Sequence, residues 1–156
     1  MRKSVVSFEN NTPESPSVAW MDLDAVASAT MTSEDEAHPL ERAITAAAAG
    51  GWKASTPGVQ VIRFTFDTPK NVKHVRLIFK EEAKERSQEF ALVAILRPEV
   101  RKEIVRQQWS FNLGGSTTEV EDYTVELSDV VALELTIDPG RHDKTVFATL
   151  ESIQVA

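Results

Sequence analysis

The chain contains no cysteine. That excludes a disulfide framework, a cysteine-ligated zinc or iron–sulfur site, and a cysteine nucleophile. Long apolar runs are missing too, and nothing approaches the roughly 20 residues that a bilayer-spanning helix needs. Arg2 and Lys3 have the charge of a leader's first segment. However, Ser4, Ser7, Glu9, Asn10 and Asn11 interrupt the next stretch of chain, which falls short of the about 7–15 apolar residues a secretory signal requires. The expectation is a soluble, cytoplasmic protein with no membrane partner. Positive charge is also in short supply: 17 basic against 24 acidic side chains leave a net charge of -7. That balance argues against bulk binding to phosphate backbones, so nucleic acid is not an expected partner. Catalytic signatures are absent as well. There is no His-Glu-x-x-His and no Gly-x-Ser-x-Gly, and Gly114-Gly115-Ser116 does not lead from a strand into a helix. The expectation is therefore no enzyme and no cofactor.

What is present is strand periodicity. A chain of 156 residues fits one domain with one core. Residues 1–17, with Asn10-Asn11-Thr12-Pro13, read as a flexible N-terminal extension, in which Val5, Val6 and Phe8 could add a short strand. The domain is placed at 18–156. Residues 20–32 read as extended chain. One short helix is expected near 39–49: Pro39 suits its first position, Leu40, Ala43, Ile44 and Ala47 come at helical spacing, and Gly50-Gly51 ends it. After Gly51 the period becomes two. Ile62, Phe64 and Phe66 share a face, then Val75, Leu77 and Phe79, with a turn expected at 67–71 between them. Residues 90–96 are apolar on both faces, as in a covered central strand. Further strands are expected at 104–111, around Tyr123, Val125 and Leu127, and around Leu133, Leu135 and Ile137. In 146–155 the apolar parity slips between Leu150 and Ile153, which predicts a bulge. The fold class is all-β: an antiparallel jelly-roll sandwich of about eight strands.

Few side chains suggest chemistry. His38 and His74 read as capping or surface groups. His142 stands beside Arg141 and Asp143 in a loop, the part of a sandwich that carries function. The acidic pairs Asp22/Asp24, Glu34/Asp35 and Glu119/Glu121 read as solvated surface. Arg97, Arg101, Lys102 and Arg106 read as a hairpin tip balanced by Glu99 and Glu103. Trp52 and Trp109 read as core. Trp20 is the tryptophan least tied to a strand and thus the candidate exposed aromatic.

Several segments together resemble the discoidin, or coagulation-factor type C, pattern of the galactose-binding-like jelly-roll superfamily. They are Gly51-Trp52-Lys53-Ala54-Ser55, then Ile62-Arg63-Phe64-Thr65-Phe66-Asp67-Thr68-Pro69 and the apolar strand after it, with His38-Pro39-Leu40-Glu41-Arg42-Ala43-Ile44 upstream and the last two strands downstream. The resemblance covers residues 25–155. It implies a non-catalytic binding module, with carbohydrate as the first ligand class. Ligand contacts would be Arg141, His142 and Asp143 at the loop end, with Trp20 as the aromatic. The alternative is an intracellular protein-interaction or assembly module, for which Val61, Ile78, Val93 and Ile95 would form an exposed apolar face. Many members hold a structural calcium with an acidic turn after the helix and a glutamate in the last strand. Here 46–49 are alanines and Ser152 takes the glutamate's place, so no metal is expected at that site.

Overall fold

A computed structural model describes residues 18–45 and 50–156. The expected extension at 1–17 and the alanines at 46–49 lie outside the described residues. Among the described residues there are eight strands and two single-turn helices. In chain order they are α1 (Leu23–Val26), β1 (Ala27–Met31), α2 (Glu41–Ile44), β2 (Trp52–Lys53), β3 (Gln60–Lys80), β4 (Arg86–Leu96), β5 (Val100–Phe111), β6 (Thr118–Asp138), β7 (Thr149–Leu150) and β8 (Ser152–Val155).

The strands form an all-β, antiparallel jelly-roll sandwich. Two long strands make it. β3 spans both strands that the alternation predicts on either side of 67–71, so the expected turn is instead a bend within one strand. Its register against β6 shifts between Thr65 and Lys70, and twice more before His74. Bulges of this kind bend a strand, and Pro69, which has no N–H to donate, fits such a break. β6 likewise passes through Asp129, which has a positive φ of 57°. The first half of β3 lies between β1 and the second half of β6, and that half of β6 also pairs with β4, which pairs with β5. The second half of β3 lies between β8 and the first half of β6. Each long strand therefore contributes to both layers. Across the layers, the rings of Phe79 (β3) and Phe90 (β4) meet with centroids 5.0 Å apart.

The inward positions are those the alternation marks. Ile62, Phe64, Val75, Leu77, Phe79, Leu92, Leu133, Leu135 and Ile137 are buried. Trp52 is buried and Trp109 packs against the core, as read from the sequence. Three expectations change in detail. The extended stretch at 20–32 starts with a helical turn, because the Asp22 carbonyl accepts the N–H groups of Ala25 and Val26 while Leu23 is buried beneath. The helix near 39–49 is four residues long among those described. Its first turn starts one residue past the Pro39-Leu40 step, where the Leu40 N–H donates to Glu34 Oε2 (2.6 Å). The parity slip after Leu150 marks a change of partner: β7 pairs with β2, whereas β8 pairs with β3, and Glu151 between them donates its N–H to the Ile78 carbonyl (2.9 Å). Gly51 is where a side chain has no room, since a Cβ would collide with the Leu150 carbonyl, and its φ is +57°.

Candidate functional site

The segment between β6 and β7 builds the loop end of the sandwich. Pro139 and Gly140 are both buried. A Cβ on Gly140 would strike the Asp143 carbonyl and the Val146 side chain, so the turn closes tightly on itself. The backbone is tied on both sides. Arg141 N–H donates to the Ser87 carbonyl (2.9 Å), Gly58 N–H to that of Val146 (3.0 Å) and Ala54 N–H to that of Ala148 (2.9 Å). Val146 and Ala148 are buried, so alternation turns Phe147 outward, 39% exposed. Its ring borders a hollow of about 240 Å³ that Lys53, Glu81, Lys84, Thr145 and Thr149 also line. Lys53 Nζ stands 5.9 Å from the Phe147 ring centroid, within cation–π reach.

Asp143 belongs to this place. Its Oδ1 accepts the backbone N–H and the hydroxyl of Thr145 (2.9 and 2.6 Å), and its Oδ2 takes Lys84 Nζ at 2.9 Å. These bonds, those to Thr145 first, hold the carboxyl well below the usual carboxylate range. Arg141 and His142 are exposed on the same loop but do not line the hollow. Trp20 is elsewhere. Its ring meets His74 edge-on (5.2 Å between centroids) and carries the Arg76 guanidinium at 5.4 Å. Arg76 is four residues before the end of β3, about 13 Å along a strand. Asp143 thus bonds two residues that line the hollow, Lys84 and Thr145, whereas Arg141 and His142 do not line it and Trp20 packs against His74 and Arg76. Phe147 is the exposed aromatic at this end of the sandwich, and the sequence reading did not single it out. An aromatic between two inward-facing apolar residues was the available signal.

Beneath the hollow lies a polar interior. Arg86 is buried, and its Nε donates to Glu81 Oε1 at 2.7 Å. Nη1 donates to the Pro139 carbonyl (2.8 Å) and to Gln88 Oε1 (3.0 Å), and the guanidinium lies 4.8 Å over the Phe111 ring. Gln88 Nε2 donates to Glu119 Oε1 (3.2 Å). Next along β6, Glu121 receives Gln107 Nε2 (2.7 Å) and the Tyr123 hydroxyl (3.2 Å). Glu119 is fully buried. This corrects the reading of Glu119 and Glu121 as solvated surface: they continue inward the parity of Tyr123 and Val125. Burial, and then the neighbouring Glu121, push the Glu119 carboxyl up to about 8. Among the described residues, Glu119 Oε2 and the Trp109 indole N–H have no hydrogen-bond partner.

The remaining candidates are surface groups. His38 pairs with Asp35 (2.8 Å) and His74 with Asp122 (3.0 Å). In the basic stretch, Arg101 pairs with Glu134 (2.6 Å) and Arg106 with Glu103 (3.0 Å). Of the suggested apolar face, Val61, Ile78 and Val93 are half-buried and Ile95 is buried, so no exposed apolar face forms there. Among the described residues no helix is long and apolar enough to cross a membrane.

No family sequence model matches the chain, and no curated protein matches it by sequence. Solved structures do. The family 32 carbohydrate-binding module of C. perfringens NanJ, in complex with galactose, superposes with a TM-score of 0.62 at 15% identity, over 87% of this chain and 96% of that one. A Clostridium perfringens module solved with GalNAc-β-1,3-galactose gives 0.64 at 13% identity, over 88% and 99%. The family 32 module of AlyQ, in complex with 4,5-unsaturated mannuronic acid, gives 0.61 at 16% identity, over 89% and 98%. The fold of this chain is a jelly-roll sandwich, shared along almost its whole described length with these family 32 carbohydrate-binding modules.

Proposed function

We propose that this protein is a non-catalytic carbohydrate-binding module whose ligand rests on Phe147. One observation carries the reading: an exposed aromatic ring at the rim of a polar hollow, at the loop end of a fold that solved sugar-binding modules share. The ring offers a flat apolar surface, and the C–H face of a pyranose is an apolar surface that matches it. Lys53, Lys84, Thr145 and Thr149 supply donors around the ring for sugar hydroxyls. The site is preformed, because Arg86, Asp143 and Gly140 fix the loop before any ligand arrives, which lowers the ordering cost of binding.

An enzymatic reading has less support. Glycoside hydrolysis by two acids requires them roughly 5–10 Å apart across a cleft. Glu81, the carboxylate lining the hollow, is bound by Arg86. Arg141, His142 and Asp143 stay in the proposal as the flank of the site: Asp143 positions Lys84, and the two exposed side chains are within the loop's reach of a longer glycan.

The test is a glycan array, then calorimetry on the best binders. Saturable binding that Phe147→Ala abolishes, with an unchanged melting temperature, supports the reading. Binding that survives Phe147→Ala and is lost in Trp20→Ala would move the site to the other end of the sheet.

A further inference from the structure

The polar interior under the Phe147 loop holds the carboxyl groups of Glu81, Glu119 and Glu121, and Arg86 is the one buried cation among the described residues. Arg86 is already engaged: Nε donates to Glu81, and Nη1 to Gln88 Oε1 and the Pro139 carbonyl. None of its bonds goes to Glu119. Glu119 Oε1 accepts Gln88 Nε2, and Oε2 has no hydrogen-bond partner among the described residues. Glu121, two residues along β6 and on the same side of the strand, brings a second carboxyl beside it. Tyr123 donates its hydroxyl to Glu121, and burial holds that phenol above its ordinary range, so it stays a donor. The other packed strands bring no charge. β3 pairs Phe79 with Glu119, and β5 sets Trp109 opposite Gln88 and joins Gln107 to Glu121 and Tyr123. A fully buried carboxyl with one amide donor and an acid for a neighbour is held as the neutral acid.

We infer that Glu119 is a proton switch for the loop above it: while it keeps its proton, Arg86 stays on the Pro139 carbonyl and holds the loop, and when it gives the proton to solvent, its anion draws Arg86 off and the loop loosens. The attraction is strong because the pair is shielded from water. A path exists, since Nη1 of Arg86 touches Gln88 and Gln88 touches Glu119. The bond given up lies at the start of the segment that carries Asp143 and Phe147. The inference names the regulation of the proposed carbohydrate site and rests on that reading for the ligand alone. Sugar binding should be tight at neutral pH and weaken as pH rises through the raised value of Glu119.

The experiment follows the full chain by amide NMR from about pH 7 to about 9.5, the window in which such a proton is lost. The reporters are the N–H groups of Ala54, Gly58 and Arg141, which tie the loop to its surroundings. They should shift together with one midpoint, shared by the Glu119 carboxyl carbon. Glu119→Gln, which keeps the acceptor and cannot ionise, should leave all three flat. Glu121→Gln, which removes the neighbouring acid, should lower the shared midpoint. Reporters that stay still in the native protein, or that still titrate in Glu119→Gln, overturn the inference. So does a midpoint that Glu121→Gln leaves unmoved, which decides the matter even where Glu119→Gln fails to fold. Calorimetry with the best sugar from the array should then show binding at least about fivefold weaker at the high-pH end, the low end of ordinary coupling between sites. Equal affinity at both ends overturns the regulation of the site. A chain that binds no sugar overturns the carbohydrate reading and leaves the loop titration to be judged by the amides.

Discussion

The same two strands, β4 and β6, build two opposite kinds of interior. At one end, Leu92 and Ala94 of β4 pack with Leu133 and Leu135 of β6, and the buried side chains are apolar. At the other, Arg86 and Gln88 of β4 and Glu119, Glu121 and Tyr123 of β6 are held by hydrogen bonds. The polar end lies under the hollow, and Arg86 reaches through it to hold the Pro139 carbonyl. Apolar packing is non-directional, so it can fill a space without fixing a loop in one position. A hydrogen-bonded polar network is directional, and it fixes the loop at the cost of sensitivity to any lost partner. The difference shows where this sandwich stores stability and where it stores shape.

The comparison breaks most visibly at Arg86. Arg86→Met should cost about 3–5 kcal/mol by urea denaturation, because Glu81 and the Pro139 carbonyl lose their buried donor. Leu135→Ala in the apolar half should cost about 2–5 kcal/mol. The two halves separate on rescue: Arg86→Met combined with Glu81→Met should recover most of the loss, since no charge is then left uncompensated. No second substitution of an apolar neighbour should rescue Leu135→Ala. An Arg86→Met loss below about 1 kcal/mol would mean the polar half contributes little.

A pH titration sharpens the contrast next. Glu119 has its carboxyl raised to about 8 in the fold against an ordinary value of 4.5. The folded state therefore holds a proton that the unfolded chain gives up. The stabilisation from that proton is complete below 4.5, declines as pH rises through the window, and is gone above about 8. The melting temperature should fall across that window, and Glu119→Gln should flatten the slope. A slope unchanged by Glu119→Gln would show that other groups carry it.

The smallest effect on stability is expected at the site itself. Phe147→Ala should move the folding free energy by no more than about 0.5 kcal/mol, as exposed substitutions usually do. Its effect should be on sugar binding alone. A loss of several kcal/mol would make Phe147 a packing residue rather than a platform.

Much of the fold was legible because burial tracks parity. The residues read as inward from 62 to 66, 75 to 79 and 133 to 137 are buried. The bends were not legible. Asp67-Thr68-Pro69 has turn chemistry, yet hydrogen bonding to β6 resumes on both sides, and whether a break is a turn or a bulge depends on that distant partner. Less of the proposed site was legible. Loop position pointed to Arg141, His142 and Asp143, whereas Phe147 needed the observation that Val146 and Ala148 on either side are core. Glu119 and Glu121 were hidden by their own charge. A glutamate at inward parity is read as outward unless its partners are known, and Gln88 and Gln107 lie on other strands.

Because β3 and β6 each run through both layers, neither layer can come away without unzipping the other. In a sandwich whose sheets are joined only by loops, one sheet can open while the other persists. Here amide protection against exchange should be lost in a single cooperative step along Gln60–Lys80 and Thr118–Asp138. These two strands also pair across a long stretch of intervening chain, so folding has to wait for a distant encounter and should be slow for a domain of this size.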